Sequence, residues 1–280
     1  MNARIGSLAR AAGTQPSKRL WGTRLSGLVS WSVSPVIGMA ALLAIWWVGG
    51  WLIRSDPNIS SFSGFAPGPT LSALADLVRS GRLWGIAAPS LYRLGMGLLW
   101  AAVLGVPLGV AVGLSARTRR ITHVPFQFLR MISPLAWMPV AVLAFPTWNG
   151  AIIFLIAVAA VWPVLFSTAQ GVRRIDPLWF KVARNLGGDS FQRLFRIVLP
   201  AIGQDVFAGI RLAVGVGWIV LVPAEYLGVT SGLGYAISDA RDTLDYSHLT
   251  AIVVVIGVLG FLIDAVCVSL IRKFSWHNET

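Results

Sequence analysis

The fold class the sequence predicts is an all-α integral membrane protein with about six transmembrane helices. Composition is the first reason. The chain has 280 residues, 56% hydrophobic and 12% charged, with a mean hydropathy of +0.72. In water it would expose a large apolar surface, so lipid is the fitting solvent. The second reason is punctuation: six apolar runs of spanning length are separated by short polar segments. The third is the distribution of Lys and Arg, which fall in blocks between those runs rather than on one soluble domain. That pattern orients a membrane protein and argues against nucleic-acid binding, despite a net charge of +12.

Residues 1–32 carry Arg4, Arg10, Lys18, Arg19 and Arg24 and no acid, and are expected to form a basic cytoplasmic tail. Val33–Ile53 is the first span, its 21 residues reaching about 30 Å. Between 54 and 86 the chain is mixed. Leu71, Leu74, Leu77 and Val78 share a helical face, and Thr70 stands where an N-cap would. The second span covers about 87–114. In it Gly105, Gly109 and Gly113 recur every fourth residue, a spacing that lets another helix approach closely.

Arg117, Arg119 and Arg120 mark the next turn. The third span, about 123–145, holds Pro125, Pro134 and Pro139 and is expected to be broken. The fourth covers about 151–171, the fifth 201–223 and the sixth 247–271. A polar island at 172–200 divides the fourth from the fifth, and residues 274–280 form a short tail. Placing residues 1–32, the 115–122 turn, the island and the C-terminus in the cytoplasm puts sixteen Lys/Arg there, against about five in the opposite loops, Arg93 included. Both termini are therefore expected to be cytoplasmic.

The chemistry-bearing residues are few. His123, His248 and His277 lack metal-ligand spacing, and Cys267 is the single cysteine. No phosphate-binding loop and no protease signature is present, so no catalytic and no metal residue is expected. Asp264 lies within the last span, either buried and paired or interfacial. With no series of buried acids for a proton-driven carrier, the energy is expected from outside these helices.

The island contains Lys181-Val-Ala183, then Gly187, then Ile197-Val-Leu199-Pro200. Taken alone it reads either as a solvated basic loop or as a handle for a soluble partner. It resembles the cytoplasmic coupling loop of permease subunits of binding-protein-dependent ABC importers, which runs Glu-Ala-Ala, three residues, Gly, then Ile-x-Leu-Pro. Ala183, Gly187, Ile197, Leu199 and Pro200 match it, whereas Lys181 and Val182 depart from it. From about residue 66 onward, Pro67-Gly-Pro-Thr70, Arg130–Pro139, Gly171-Val-Arg173 and Ala224-Glu-Tyr-Leu-Gly228-Val-Thr-Ser-Gly232-Leu-Gly234-Tyr235 resemble the nitrate/sulfonate/taurine branch.

The resemblance implies a type I importer permease fold in a bacterial inner membrane. It implies two ATP-binding subunits that hold ATP and Mg, a second and identical permease subunit, and an extracytoplasmic solute-binding protein. Lys181, Ala183, Gly187, Ile197, Leu199 and Pro200 would couple to the ATPase. Trp137, Trp218, Glu225 and Tyr226 are candidates either for the passage lining or for helix packing. The implied solutes are small anions, aliphatic sulfonates or taurine first; nitrate, bicarbonate or a small heterocycle is the alternative. A stand-alone carrier or channel is the rival of another class.

Overall fold

The computed structural model describes residues 22–275, with side chains from 35 to 273. Most of the expected N-terminal tail and the end of the C-terminal one lie outside these residues, while 22–32 continue as helix into the first span. The chain divides into two units, residues 1–67 and 68–280.

In the first unit a long helix, α1 (Gly22–Ser55), is followed by a 3₁₀ turn at Ser60–Phe65. The Trp46 indole N–H donates to the Phe65 carbonyl at 2.9 Å. Gly50 makes room for the turn, since a Cβ there would lie 2.9 Å from the Ala66 Cβ. Ile37, Met39, Leu42, Ile45, Trp47 and Trp51 are exposed along α1, as a lipid-facing helix requires.

The second unit begins at residue 68, within α2 (Pro67–Arg79). Pro67 and Pro69 occupy the first turn, where no N–H is needed. Thr70 is therefore not the N-cap that the sequence suggests; it lies inside the first turn, fully buried. The buried stripe is Thr70, Ala73 and Leu77, while Leu71 and Val78 are exposed. The helix is rotated from the expected face because Ala73, not Leu71, meets the cluster around Leu233, Ala236 and Ile252.

Three helices build the core: α3 (Arg82–Leu114), α6 (Trp148–Arg174) and α10 (Gly203–Gly228). The glycine stripe of α3 is longer than Gly105, Gly109 and Gly113. It starts at Gly97 and passes through Ala101, which packs with Ala160. A Cβ on Gly97 would lie 2.5 Å from Ile156, one on Gly105 3.0 Å from Val164, one on Gly109 2.6 Å from Thr168 and one on Gly113 2.6 Å from Val172. Both partners thus advance by four residues at each step, ridge against groove. Because the numbers rise together, α3 and α6 run parallel.

That pairing decides the topology between them. Two parallel helices need an intervening return across the membrane, and only residues 115–147 are available to make it. They form α4 (Ala116–Met131), a 3₁₀ turn at Pro134–Trp137 and α5 (Met138–Ala144), bent by 87° at the break. Five other helices are long and apolar enough to span: α3, α6, α10, the Pro35–Ser55 part of α1, and the Tyr246–Lys273 part of α12 (Tyr246–Ser275). Counted as one span, the bent pair brings the candidate spans among the described residues to six. Of its three prolines only Pro134 breaks the chain: Pro125 stays within α4 and Pro139 sits in the first turn of α5.

α10 packs on α6 in the opposite direction, Asp205 meeting Gly171, Gly209 meeting Ser167, and Gly217 meeting Ile156. Between α6 and α10 lie α7 (Pro177–Asn185), α8 (Ser190–Arg193), a π turn at Leu194–Val198 and α9 (Leu199–Ala201). A short helix, α11 (Leu233–Asp242), joins α10 to α12.

Candidate functional site

The island at 172–200 folds as two short helices around a glycine turn, and Ala183, Gly187 and Pro200 of its motif each have a local task. Asp176 caps α7 by accepting the Leu178 N–H at 2.8 Å, and Pro177 takes the first helical position. The helix ends when Gly187 enters the left-handed region at φ 77°. The Gly188 N–H then donates to the Ala183 carbonyl at 2.8 Å and the Gly187 N–H to Arg184 at 3.1 Å. These two bonds are the Schellman closure of a helix end. A Cβ at Gly188 would lie 2.8 Å from the Ala183 oxygen. Asp189 caps α8 through the Gln192 N–H at 2.6 Å.

Pro200 has no N–H to offer the chain behind it, and the preceding stretch relaxes into the π turn, where the Leu199 N–H donates to the Leu194 carbonyl. Ile197 and Leu199 are half-buried and Pro200 is exposed. The loop is anchored at its base by Arg174 and Asp205, 3.0 Å apart, which tie the end of α6 to the start of α10. A cavity of about 670 Å³ opens beside them, bounded by Arg174, Trp179, Arg196, Ile197 and Pro200.

The outer face of α7 is apolar where a solvated loop would be polar. Leu178, Trp179, Val182 and Leu186 are all exposed, as are Phe191 on α8 and Phe195 in the π turn. Positions 178, 182 and 186 form one stripe at helical spacing. Lys181 and Arg184 flank it, both exposed. An apolar stripe outside the spanning helices, rimmed by cations, has the character of a protein-docking surface.

At the far end of α3 and α10 lies a buried polar clasp. Arg93 is 2% exposed and Glu225 fully buried. Arg93 Nη1 donates to Glu225 Oε1 at 2.5 Å and to the Ser231 carbonyl at 2.8 Å. Its Nη2 reaches Ser231 Oγ and its Nε reaches Asn149 Oδ1, each at 2.8 Å. Ser90 donates its hydroxyl to both Glu225 oxygens, at 2.9 and 2.8 Å, and accepts the Leu233 N–H at 2.8 Å. The Gly234 N–H donates to Glu225 Oε2 at 3.0 Å. The carboxylate is therefore held by a guanidinium and by the positive N-terminus of α11 together.

This arrangement explains the glycines after Glu225. Gly232 has φ 111°, and a Cβ on it would lie 2.5 Å from the Glu225 carboxylate. A Cβ at Gly234 would overlap the Val222 carbonyl, and one at Gly228 would overlap the Trp148 ring.

The family description "binding-protein-dependent transport system inner membrane component" matches residues 105–275. The chain belongs to that family. It is 34% identical over 274 residues to the bicarbonate transport system permease protein CmpB of Synechococcus elongatus, covering 91% of this chain and 92% of the relative. It is 32% identical over 272 residues to the taurine transport system permease protein TauC of Escherichia coli, covering 94% and 96%. A chain of the inward-facing MetNI methionine ABC transporter superposes with a TM-score of 0.56 at 17% identity, over 66% of this chain and 93% of that one. The protein is thus an ABC importer permease of the nitrate/sulfonate/taurine branch, a multi-pass protein of the inner membrane.

In this permease the four residues considered for the passage do not form one site. Glu225 is consumed by the clasp. Trp137 packs against the cluster of Leu94, Ile152 and Leu221, with its Nε1 buried and without a hydrogen-bond partner among the described residues. Trp218 lies between two core clusters, against Gly260. Tyr226 sits under the Arg241 guanidinium, 5.0 Å from ring centroid to Cζ, and its hydroxyl bonds Arg241.

Sequence reasoning treated Arg93 as a helix-end residue and passed over Ser90, Asn149 and Ser231. The available signal was Glu225 itself, since a carboxylate within a span requires a cationic partner. Asp264 is paired, with Arg211 in two bonds of 2.8 and 2.9 Å. Outside the spans, burial pushes the Asp245 carboxyl up, but hydrogen bonds from the His248 backbone and ring outweigh it and leave it below the ordinary carboxylate range.

Proposed function

We propose that this permease carries small anions inward, driven by ATP hydrolysis on separate subunits that grip the 177–196 loop. The exposed stripe Leu178, Trp179, Val182 and Leu186 on a capped, glycine-terminated helix carries this reading. Such a helix fits a groove in a soluble partner, and Lys181 and Arg184 add cationic edges. The loop is continuous with α6 and α10 and braced by Arg174–Asp205. Since α3, α6 and α10 interlock without room to slide, movement of the loop turns the three together, as a rigid body rather than a bending helix. ATP favours one packing of the spans, and release of its products favours the other.

The chain itself then supplies no catalytic group; ATP and Mg belong to two partner ATPases. A second, identical permease subunit completes the passage, and an extracytoplasmic binding protein delivers the solute to the 224–246 segment. Both termini are cytoplasmic in this arrangement. Relatives named for taurine and for bicarbonate support a small anion as cargo, aliphatic sulfonates or taurine first and bicarbonate second.

Proteoliposomes carrying the permease, its ATPase and its binding protein test this directly. We expect uptake of labelled taurine, ethanesulfonate, nitrate or bicarbonate that requires both ATP and the ATPase. Uptake that proceeds without the ATPase and follows an ion gradient would make the chain a secondary carrier.

A further inference from the structure

Three arginines lie well inside the spanning segments: Arg93, Arg130 and Arg211. Arg93 is neutralised by Glu225 and Arg211 by Asp264. Arg130 has no carboxylate partner among the described residues. It stands at the end of α4, about 21 Å along the helix from Ala116, one residue from the end of the helix before the 87° break. Its guanidinium lies over the Phe166 ring of α6, 5.4 Å from the centroid. It therefore lies against the core helix, on a face that this chain leaves exposed.

The space beside it is a cavity of about 520 Å³ bounded by Arg130, Trp162, Phe166, Ser167, Gln170 and Leu212. That volume is in the range of small-molecule sites. Its walls are mostly apolar, and its polar side-chain groups are the guanidinium, the Ser167 hydroxyl, the Gln170 amide and the Trp162 indole N–H. On α6, Ser167 and Gln170 lie about 11 and 6 Å from Arg174, in the half of the membrane nearer the coupling loop. A charged side chain left without a counter-charge at such depth is retained where something mobile supplies that charge. A guanidinium fork, a hydroxyl and an amide N–H₂ together donate to a planar or tetrahedral oxyanion.

We infer that Arg130, Ser167 and Gln170 form an oxyanion-binding station on the solute's route, at the break of the bent span. The station rests on the anion reading above and gives it a specific residue. The face of the Phe166 ring, 5.4 Å from the guanidinium carbon, attracts the cation and keeps it at the cavity wall. The single charge attracts an anion without trapping it, because no second cation shares the cavity.

The test is initial uptake of labelled taurine, ethanesulfonate, nitrate and bicarbonate by co-reconstituted complexes, with co-elution of the ATPase subunits showing assembly. Arg130→Met keeps the packing bulk and removes the charge, and is expected to cut uptake at least tenfold. Arg130→Lys keeps the charge and should retain a third or more. If Arg130→Met does not assemble, Ser167→Ala with Gln170→Leu carries the test, and a loss of threefold or more is expected. Arg130→Met uptake within twofold of the wild type, an equal loss in the Lys and Met variants, or no loss in the double variant would overturn the station alone. A wild-type complex that takes up none of the four anions would overturn the anion reading and the station with it.

Discussion

Replacing Gly187 with Val is expected to lower ATP-driven uptake tenfold or more while the partner ATPase continues to turn over. The cause is conformational and not steric. Nothing lies within 4 Å of where a Cβ at Gly187 would sit, but the residue has φ 77°. A β-carbon in that region costs about 1–2 kcal/mol, more for a β-branched residue. The cost falls on the one residue whose geometry brings the Gly188 N–H back to Ala183. If that closure opens, α7 loses its end and the direction of the chain into α8, so the stripe no longer presents one rigid face. Asn enters the left-handed region more readily than Val, so Gly187→Asn should transport at a level between Val and wild type. Paired assays of hydrolysis and uptake would read the difference; full coupled uptake in the Val variant would remove the loop's role as a shaped handle.

The second large effect concerns stability. Cutting Arg93 to Leu, or Glu225 to Ala, is expected to destabilise the protein by about 3–5 kcal/mol, because each leaves the other charge buried and unpaired. Replacing both, Arg93→Leu with Glu225→Ala, should cost less than the sum of the two, since no lone charge remains. Thermal unfolding of the detergent-solubilised variants measures this. Strictly additive losses would mean that the pair is not a unit. The position of the clasp gives it a consequence beyond stability: it ties α3 to the 229–234 segment and thereby fixes the start of α11.

How much of this was legible beforehand differs from element to element, for physical reasons. Span positions follow from length and apolarity, which are local, and the six segments stand where the apolar runs do. The break in the third segment was legible from its prolines, but not which proline acts. That depends on whether each falls in a first turn, as Pro139 does, or follows a residue forced out of the helical region, as at Pro134. The glycine stripe was half legible: three residues in register were visible, while Gly97 and Ala101 become part of it only once α6 supplies the opposing row.

The Gly187 turn was legible because its hydrogen bonds span five residues or fewer. The clasp was not, since Ser90 and Arg93 meet Glu225 and Ser231 across 132 to 138 positions. No local pattern encodes that distance. Lys181, where the family pattern has Glu, is exposed on α7 and forms no ion pair among the described residues. The substitution therefore leaves the helix intact and changes the charge of its exposed face.

The placement of the 177–196 loop carries the whole account, and a single cysteine can report it. Leu186 is 82% exposed beside the glycine turn, and Cys267 is the chain's one native cysteine. In a Cys267→Ser background, Leu186→Cys should resist a membrane-impermeant maleimide in intact cells, react once the cells are permeabilised, and be shielded again when the ATPase is bound. Ready labelling of that cysteine in intact cells would put the loop on the outer face and contradict the account.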